Sequence, residues 1–103
     1  GPGRVRARAR IIRNLRDGAR LAAGEIIVAH STDPSWTPLF LIAGGIVLEE
    51  GGPLSHAAIV ARELGLPAVL NVKGATRAIA EGEVVEIDGV EGTVTKQAEK
   101  AVA

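Results

Sequence analysis

The sequence predicts an α/β domain, and three observations carry that prediction. First, a short apolar run, a glycine pair, a helix-patterned stretch and a second apolar run follow one another from Ile46 to Val72. Second, residues 4–13 alternate between arginine and apolar side chains, the mark of a half-buried strand. Third, Asp88-Gly89 separates Val84, Val85 and Ile87 from Val90, Thr93 and Val94, which reads as a hairpin around a common turn dipeptide. A length of 103 residues suits one domain, and 47% hydrophobic content supplies an aliphatic core, with one Trp and one Phe to add.

The elements follow in order. In the first strand Arg4, Arg6, Arg8 and Arg10 face one way, and Val5, Ala7, Ala9 and Ile11 the other. Residues 1–20 hold seven arginines and one acid, Asp17, although the whole chain is formally neutral. Such a face could bind a polyanion. The simpler expectation is a solvated strand cross-paired with the acidic hairpin of Glu83, Glu86, Asp88 and Glu91. Two aromatics offer almost no stacking platform for single-stranded bases, so nucleic acid is not the expected partner. Asn14 to Gly24 is turn-rich, and Glu25 to Ala29 predicts a buried strand with His30 at its end. Thr32 or Asp33 can cap a helix that has Pro34 in its first turn, Trp36, Leu39, Phe40 and Ala43 on its apolar side, and Gly44-Gly45 at its end. Ile46 to Leu48 is the next buried strand.

The stretch after it is the most informative. Gly51 and Gly52 permit backbone conformations closed to other residues and let a ligand approach the main chain. Ser55 suits the N-cap and puts His56 at the first helical position. Ala57, Val60, Ala61 and Leu64 make an apolar stripe, Gly65 suits the C-terminal cap, and Pro67 blocks continuation. His56 therefore projects from a helix N-terminus, where unpaired N–H groups and the helix dipole favour an anion. A neutral imidazole there can attack phosphorus and carry a phosphoryl group. Glu49 and Glu50 directly precede this turn and either point away or orient an imidazole N–H. Pro67 to Val72 predicts another buried strand, and Asn71 to Thr76 turns into a short helix running to Ala80.

The run from Gly51 to Val69, with Gly51-Gly52-Pro53-Leu54-Ser55-His56-Ala57-Ala58 at its head, resembles the signature of the mobile phosphohistidine domain of phosphoenolpyruvate-utilising enzymes. That family includes phosphoenolpyruvate synthase, pyruvate phosphate dikinase, the first enzyme of the sugar phosphotransferase system and rifampicin phosphotransferase. Thr32 to Phe40 resembles a second family segment, and Asp88-Gly89 with Gly92-Thr93-Val94 its closing hairpin. The resemblance implies a three-layer β/β/α swivelling phosphohistidine domain. Its histidine, His56 by motif position, accepts a phosphoryl group at one active site and delivers it at another. One departure stands out: many members carry threonine two residues before the histidine, and here the residue is Leu54. A regulatory modification at that threonine is accordingly not expected.

The site expected on these grounds has His56 as nucleophile, with Gly51, Gly52, Ser55 and Arg62 as phosphoryl-binding residues. Ser55 could serve as a hydroxyl donor or as a cap alone. Arg62 lies about 9 Å further along the helix at 1.5 Å per residue, so it either leans back or meets a partner. Glu63 shares the face of His56 but lies too far along to be a general base. No metal ligand is assigned, because His30 and His56 lack a metal-binding spacing. No cofactor is expected within this domain. The resemblance implies an ATP-grasp nucleotide-binding domain and a phosphoenolpyruvate-, pyruvate- or acceptor-binding domain as partners in the same parent protein. Magnesium and ATP or phosphoenolpyruvate would belong to those partners.

The absence of Cys excludes a disulfide framework, and no apolar run is long enough to span a bilayer. No membrane partner is expected, and a cytoplasmic setting is the default. With no Met and a Gly1-Pro2-Gly3 start, residues 1–3 read as a cleavage scar or linker, 4–95 as the domain, and 96–103 as a tail or linker of a longer protein. Two other function classes fit the same pattern: an interaction module that retains the fold without phosphotransfer, and a non-covalent anion-binding domain.

Overall fold

The computed structural model of the chain describes residues 3–96. Six strands form one mixed sheet: β1 (Arg4–Ile11), β2 (Ile26–Ala29), β3 (Gly45–Leu48), β4 (Ala68–Val69), β5 (Val84–Asp88) and β6 (Thr93–Lys96). Their spatial order is β4-β3-β2-β1-β5-β6. β1 to β4 pair in parallel, whereas β5 runs antiparallel to both β1 and β6. Three helices accompany them: α1 (Thr37–Phe40), α2 (His56–Leu64) and α3 (Ala75–Ala78). Two 3-10 turns, Leu15–Arg20 and Pro34–Trp36, complete the elements.

β1 belongs to two ladders. Its first half, Arg4 to Arg8, pairs with β5, and its last residues, Ala9 to Ile11, pair with β2. The sheet curls at this strand into a half-barrel, bringing the antiparallel part over one face of the parallel part. Gly45 of β3 shows how close the two approach: a Cβ there would lie 2.7 Å from Ile87 Cδ1 and 3.0 Å from Val5 Cγ1. The layers are thus helix, parallel sheet and antiparallel sheet, the expected β/β/α arrangement.

Period-2 alternation sorts the strand residues between two cores. Ile27, Ala29, Ile46 and Leu48 face the helical layer and pack with Phe40, Trp36, Ala57 and Ala61. Ala9, Ile11, Ile26, Val28 and Val47 face the other way and pack with Val85, Ile87 and Ile79. β2 and β3 are buried on both faces, which explains why they read as continuous apolar runs instead of alternating.

Of the β1 arginines, Arg4 alone among the described residues pairs with the acidic hairpin, whereas Arg10 takes acids outside it and Arg8 donates to the Gly82 carbonyl. Arg4 lies 3.3 Å from Asp88 and 3.6 Å from Glu86. Arg10 joins Glu25 on one side and Glu81 on the other, and Arg20 also bonds Glu81. The Arg10 guanidinium holds the Glu25 carboxyl below the usual carboxylate range, against the opposing effect of burial. Glu83 pairs with Lys96 and not with an arginine, at 3.8 Å.

Several boundaries differ from expectation for local reasons. The helix expected from Pro34 is split. Pro38 has no N–H to offer Pro34, and the Pro34 carbonyl accepts instead from the Thr37 N–H and from Thr37 Oγ1 at 2.9 Å. Asp33, not Thr32, supplies the cap, accepting from the Ser35 N–H at 2.8 Å. Gly45 opens β3 instead of ending a helix. β4 is two residues long because Asn71 turns into the left-handed region at φ 62°. The last hairpin has a four-residue connection, Gly89 to Gly92. There the Asp88 carboxylate accepts from the Val90 and Glu91 N–H groups, so Val90 sits in the turn, exposed. Leu64, expected in the apolar stripe of α2, is 42% exposed. β6 extends to Lys96, one residue past the expected domain edge, and the expected tail beyond it, with residues 1–2 of the expected 1–3 scar or linker, lies outside the described residues.

Candidate functional site

The parallel strands end side by side and set the site's floor. Beyond the strand ends the ladder continues: the Glu49 N–H donates to the Ala29 carbonyl and the Glu50 N–H to the His30 carbonyl, each at 3.0 Å. The chain then turns through Gly51 at φ 129°, a conformation that disfavours any side chain. The Ser55 N–H and Oγ both donate to the Gly52 carbonyl, at 3.0 and 2.8 Å, which closes the loop. Ser55 Oγ accepts in turn from the Ala58 N–H at 3.3 Å. The Ser55 side chain is thereby engaged as a cap, with its proton directed at Gly52.

His56 is the first residue of α2 and is exposed. Among the described residues, the backbone N–H groups of Gly51, Gly52, His56 and Ala57 have no protein acceptor. They surround a helix N-terminus, where the dipole adds positive potential. At the other end Gly65, at φ 70°, donates back to the Ala61 and Arg62 carbonyls, so the helix stops where expected. Ala57 and Ala61 pin α2 to the sheet.

A cavity of about 170 Å³ opens beside the histidine, lined by Ser31, Thr32, Leu48, Glu50, Gly51, Ser55, His56 and Ala57. The structure thus brings Gly51, Ser55 and His56 together, with Gly52 closing their loop. Arg62 is placed apart from them. It lines a second hollow of about 310 Å³ between the α2 C-terminal half, Pro67 and the Gly89-Val90 turn.

Thr32 is a residue that sequence reasoning missed. The residue lines the His56 cavity, and its Oγ1 is buried without a hydrogen-bond partner among the described residues. Read as a possible cap, it is released from that role because Asp33 takes it. The Asp33 carboxyl is held below its ordinary range, chiefly by the Ser35 hydroxyl and N–H, with His56 also near enough to contribute.

The two acids before the glycine turn do orient an imidazole, but it is His30. His30 Nδ1 is 2.8 Å from Glu49 Oε1, and Nε2 is 3.2 Å from Glu50 Oε2. Glu49 is anchored by its other oxygen, which accepts from the Thr76 N–H at 2.8 Å and from Thr76 Oγ1 at 2.7 Å. Those two Thr76 bonds, with His30 next, push the Glu49 carboxyl down to about 2. The Glu49 hydrogen bond is the main cause that raises His30 above its ordinary 6.5. Glu50 stands between the two histidines, facing His30 and lining the His56 cavity. No group of three or more His, Cys, Asp or Glu side chains among the described residues is arranged to hold a metal ion.

Comparison with known proteins agrees with this geometry. Residues 21–92 match the family model described as PEP-utilising enzyme, mobile domain. The chain is 50% identical over 93 residues to chondramide synthase cmdD of Chondromyces crocatus, covering 90% of this chain and 2% of that protein. It is 50% identical over 97 residues to the prodigiosin synthesizing transferase PigC of Serratia marcescens, covering 93% and 11%. It is 48% identical over 92 residues to a rifampicin phosphotransferase of Bacillus cereus, covering 89% and 10%. An NMR solution structure of the Enzyme I protein nEIt superposes with a TM-score of 0.68 at 30% identity, over 81% of this chain and 34% of that one. The chain spans about a tenth or less of the curated relatives it matches, so those proteins contain further domains. The glycine turn, the capped helix and the half-barrel that carries them are therefore those of a family member: this chain belongs to the PEP-utilising enzyme mobile domain family.

Proposed function

We propose that this domain is a phosphocarrier, in which His56 takes a phosphoryl group at one active site and passes it to an acceptor at another. The observation that carries this reading is the exposed His56 at the N-terminus of α2, in a turn and helix start whose backbone N–H groups at Gly51, Gly52, His56 and Ala57 have no acceptor among the described residues. In the accepting step the lone pair of an unprotonated ring nitrogen forms the N–P bond. The bond from phosphorus to the donor breaks, and the donor leaves with that electron pair. Delivery reverses these changes with a new acceptor oxygen. Relay through a covalent intermediate divides one hard transfer into two.

The phosphoryl oxygens fit the N–H groups of Gly51, Gly52, His56 and Ala57, as anions do at helix N-termini. Ser55 acts by holding the turn and the first helical residues in place. Thr32 lines the same cavity, and a rotation of its side chain would bring its buried hydroxyl to the imidazole or to the phosphoryl group. Arg62, lining the hollow behind α2, would meet a docked partner before it meets the phosphoryl group on His56.

The parent protein supplies the rest. An ATP-grasp nucleotide-binding domain would load His56 from ATP with magnesium. A second domain would bind phosphoenolpyruvate, pyruvate or, as the rifampicin phosphotransferase name suggests, a different acceptor. The domain would swing between them on linkers in the cytoplasm, and it would complete no reaction cycle alone. The test is labelling of the chain with phosphoramidate. Wild type should gain an acid-labile phosphoryl group and His56→Ala should gain none; equal labelling of the two would sink the reading in favour of an interaction module or a non-covalent anion site.

A further inference from the structure

Glu50 poses a problem for phosphoryl chemistry at His56. It lines the cavity beside His56, and an unpaired carboxylate there would repel an incoming phosphoryl anion. His30 answers that problem by position. The two carbonyl-to-amide bonds that extend the β2–β3 ladder fix His30 beside Glu49 and Glu50. Its ring nitrogens then face one carboxylate each, Nδ1 to Glu49 at 2.8 Å and Nε2 to Glu50 at 3.2 Å. An imidazole with a carboxylate at each nitrogen has two acceptors to satisfy, and only the imidazolium has a proton on both. Among the described residues, Glu49 and Glu50, from the segment after β3, are the charged groups that face His30, and Thr76 of α3 anchors Glu49 from its far side.

We infer that His30 is a positioning residue for His56: as an imidazolium clamped between Glu49 and Glu50, it holds the Glu50 carboxylate and offsets its charge at the cavity where the phosphoryl group arrives. His30 never touches the transferred group. Its effect reaches His56 through Glu50 alone, so removing the charge on Glu50 should make His30 dispensable. The inference rests on the phosphocarrier reading and adds a pH dependence to it. The hydrogen bond to Glu49 raises His30 above 6.5, so the clamp is in place below that raised value and is lost as the pH climbs through it.

The experiment measures phosphoramidate labelling rates of His56 across pH in four chains: wild type, His30→Gln, Glu50→Gln and the double variant. In each, the P–N bond of the donor breaks and ammonia leaves as the N–P bond to His56 forms, so the donor's own titration is common to all four. At pH 6 His30→Gln should label about fivefold more slowly than wild type, the scale of one nearby, partly screened charge. The double variant should recover the wild-type rate. The ratio of wild type to His30→Gln should fall toward one as the pH rises past the His30 transition, and Glu50→Gln should show no such transition. A merely structural role for His30 would give no rescue by Glu50→Gln. Equal rates in wild type and His30→Gln at pH 6, with His56 still labelled, would overturn the inference and leave the phosphocarrier reading intact. No labelling of His56 in wild type would overturn both.

Discussion

The two histidines stand near one another at the same end of the parallel sheet, and their surroundings are opposite. His30 has a carboxylate at each ring nitrogen, and those carboxylates are tied to α3 and to the β2–β3 ladder. His56 has no carboxylate among the described residues bonded to it, an open cavity beside it and a helix N-terminus behind it. One environment favours the protonated imidazole, the form that lacks the lone pair a nucleophile needs. The other favours an anion beside an exposed imidazole at a helix start. Residue type alone therefore says little about which histidine reacts; the electrostatics of the strand and helix ends decide it.

Changes that should blur or sharpen this contrast can be ranked by size. Leu48 lies under both sites, 2% exposed, packed in the helical-side core and lining the His56 cavity. Leu48→Ala should lower stability by about 2–5 kcal/mol and loosen both environments together, read by denaturant unfolding and by the chemical shifts of both rings. Gly51 acts on one site only. At φ 129° a Cβ is strained, so Gly51→Ala should cost about 1–3 kcal/mol and slow labelling of His56, while the titration of His30 followed by NMR stays where it was. Ser55→Ala removes the α2 cap and should cost about 1 kcal/mol, with a smaller loss of labelling than Gly51→Ala.

Glu49→Gln acts on the His30 side and separates the two sites most cleanly. The Glu49 carboxyl is lowered from 4.5 to about 2, so its ionised form is the one the fold favours. That stabilisation is present above pH 4.5 and is lost as the pH falls from about 4.5 to about 2. Denaturant midpoints measured at pH 6 and pH 3 should therefore drop less between the two conditions in Glu49→Gln than in wild type. The His30 transition should also move to lower pH in this variant, because its closest carboxylate partner has gone.

The contrast also marks what the sequence makes legible. The His56 side is written locally: Gly51, Gly52, Ser55, His56 and Gly65 lie within fifteen consecutive residues, and each meets its role through a turn or a cap. The buried strands β2 and β3 are likewise legible as uninterrupted apolar runs. The His30 side is not. His30 and Glu49 lie nineteen positions apart and meet only because β2 and β3 are adjacent and parallel, a register that no local pattern states. Thr32 became a cavity residue only when Asp33 took the cap, a choice between neighbours of similar capping strength. Arg62 was placed by the packing of α2 against the Pro67 and Gly89 region, again a long-range matter. The curl of the sheet rests on the same kind of contact, the close approach of β5 to Gly45.

The most direct test of the whole account is a site-resolved comparison within one molecule. The wild-type chain would be labelled with phosphoramidate, digested under alkaline conditions, and the phosphoryl group located by mass spectrometry on the His30 and His56 peptides separately. The account predicts rapid labelling confined to the His56 peptide, with His30 unmodified. Labelling shared equally by the two histidines would contradict it, because the helix start would then confer no special reactivity and the carboxylate clamp no protection.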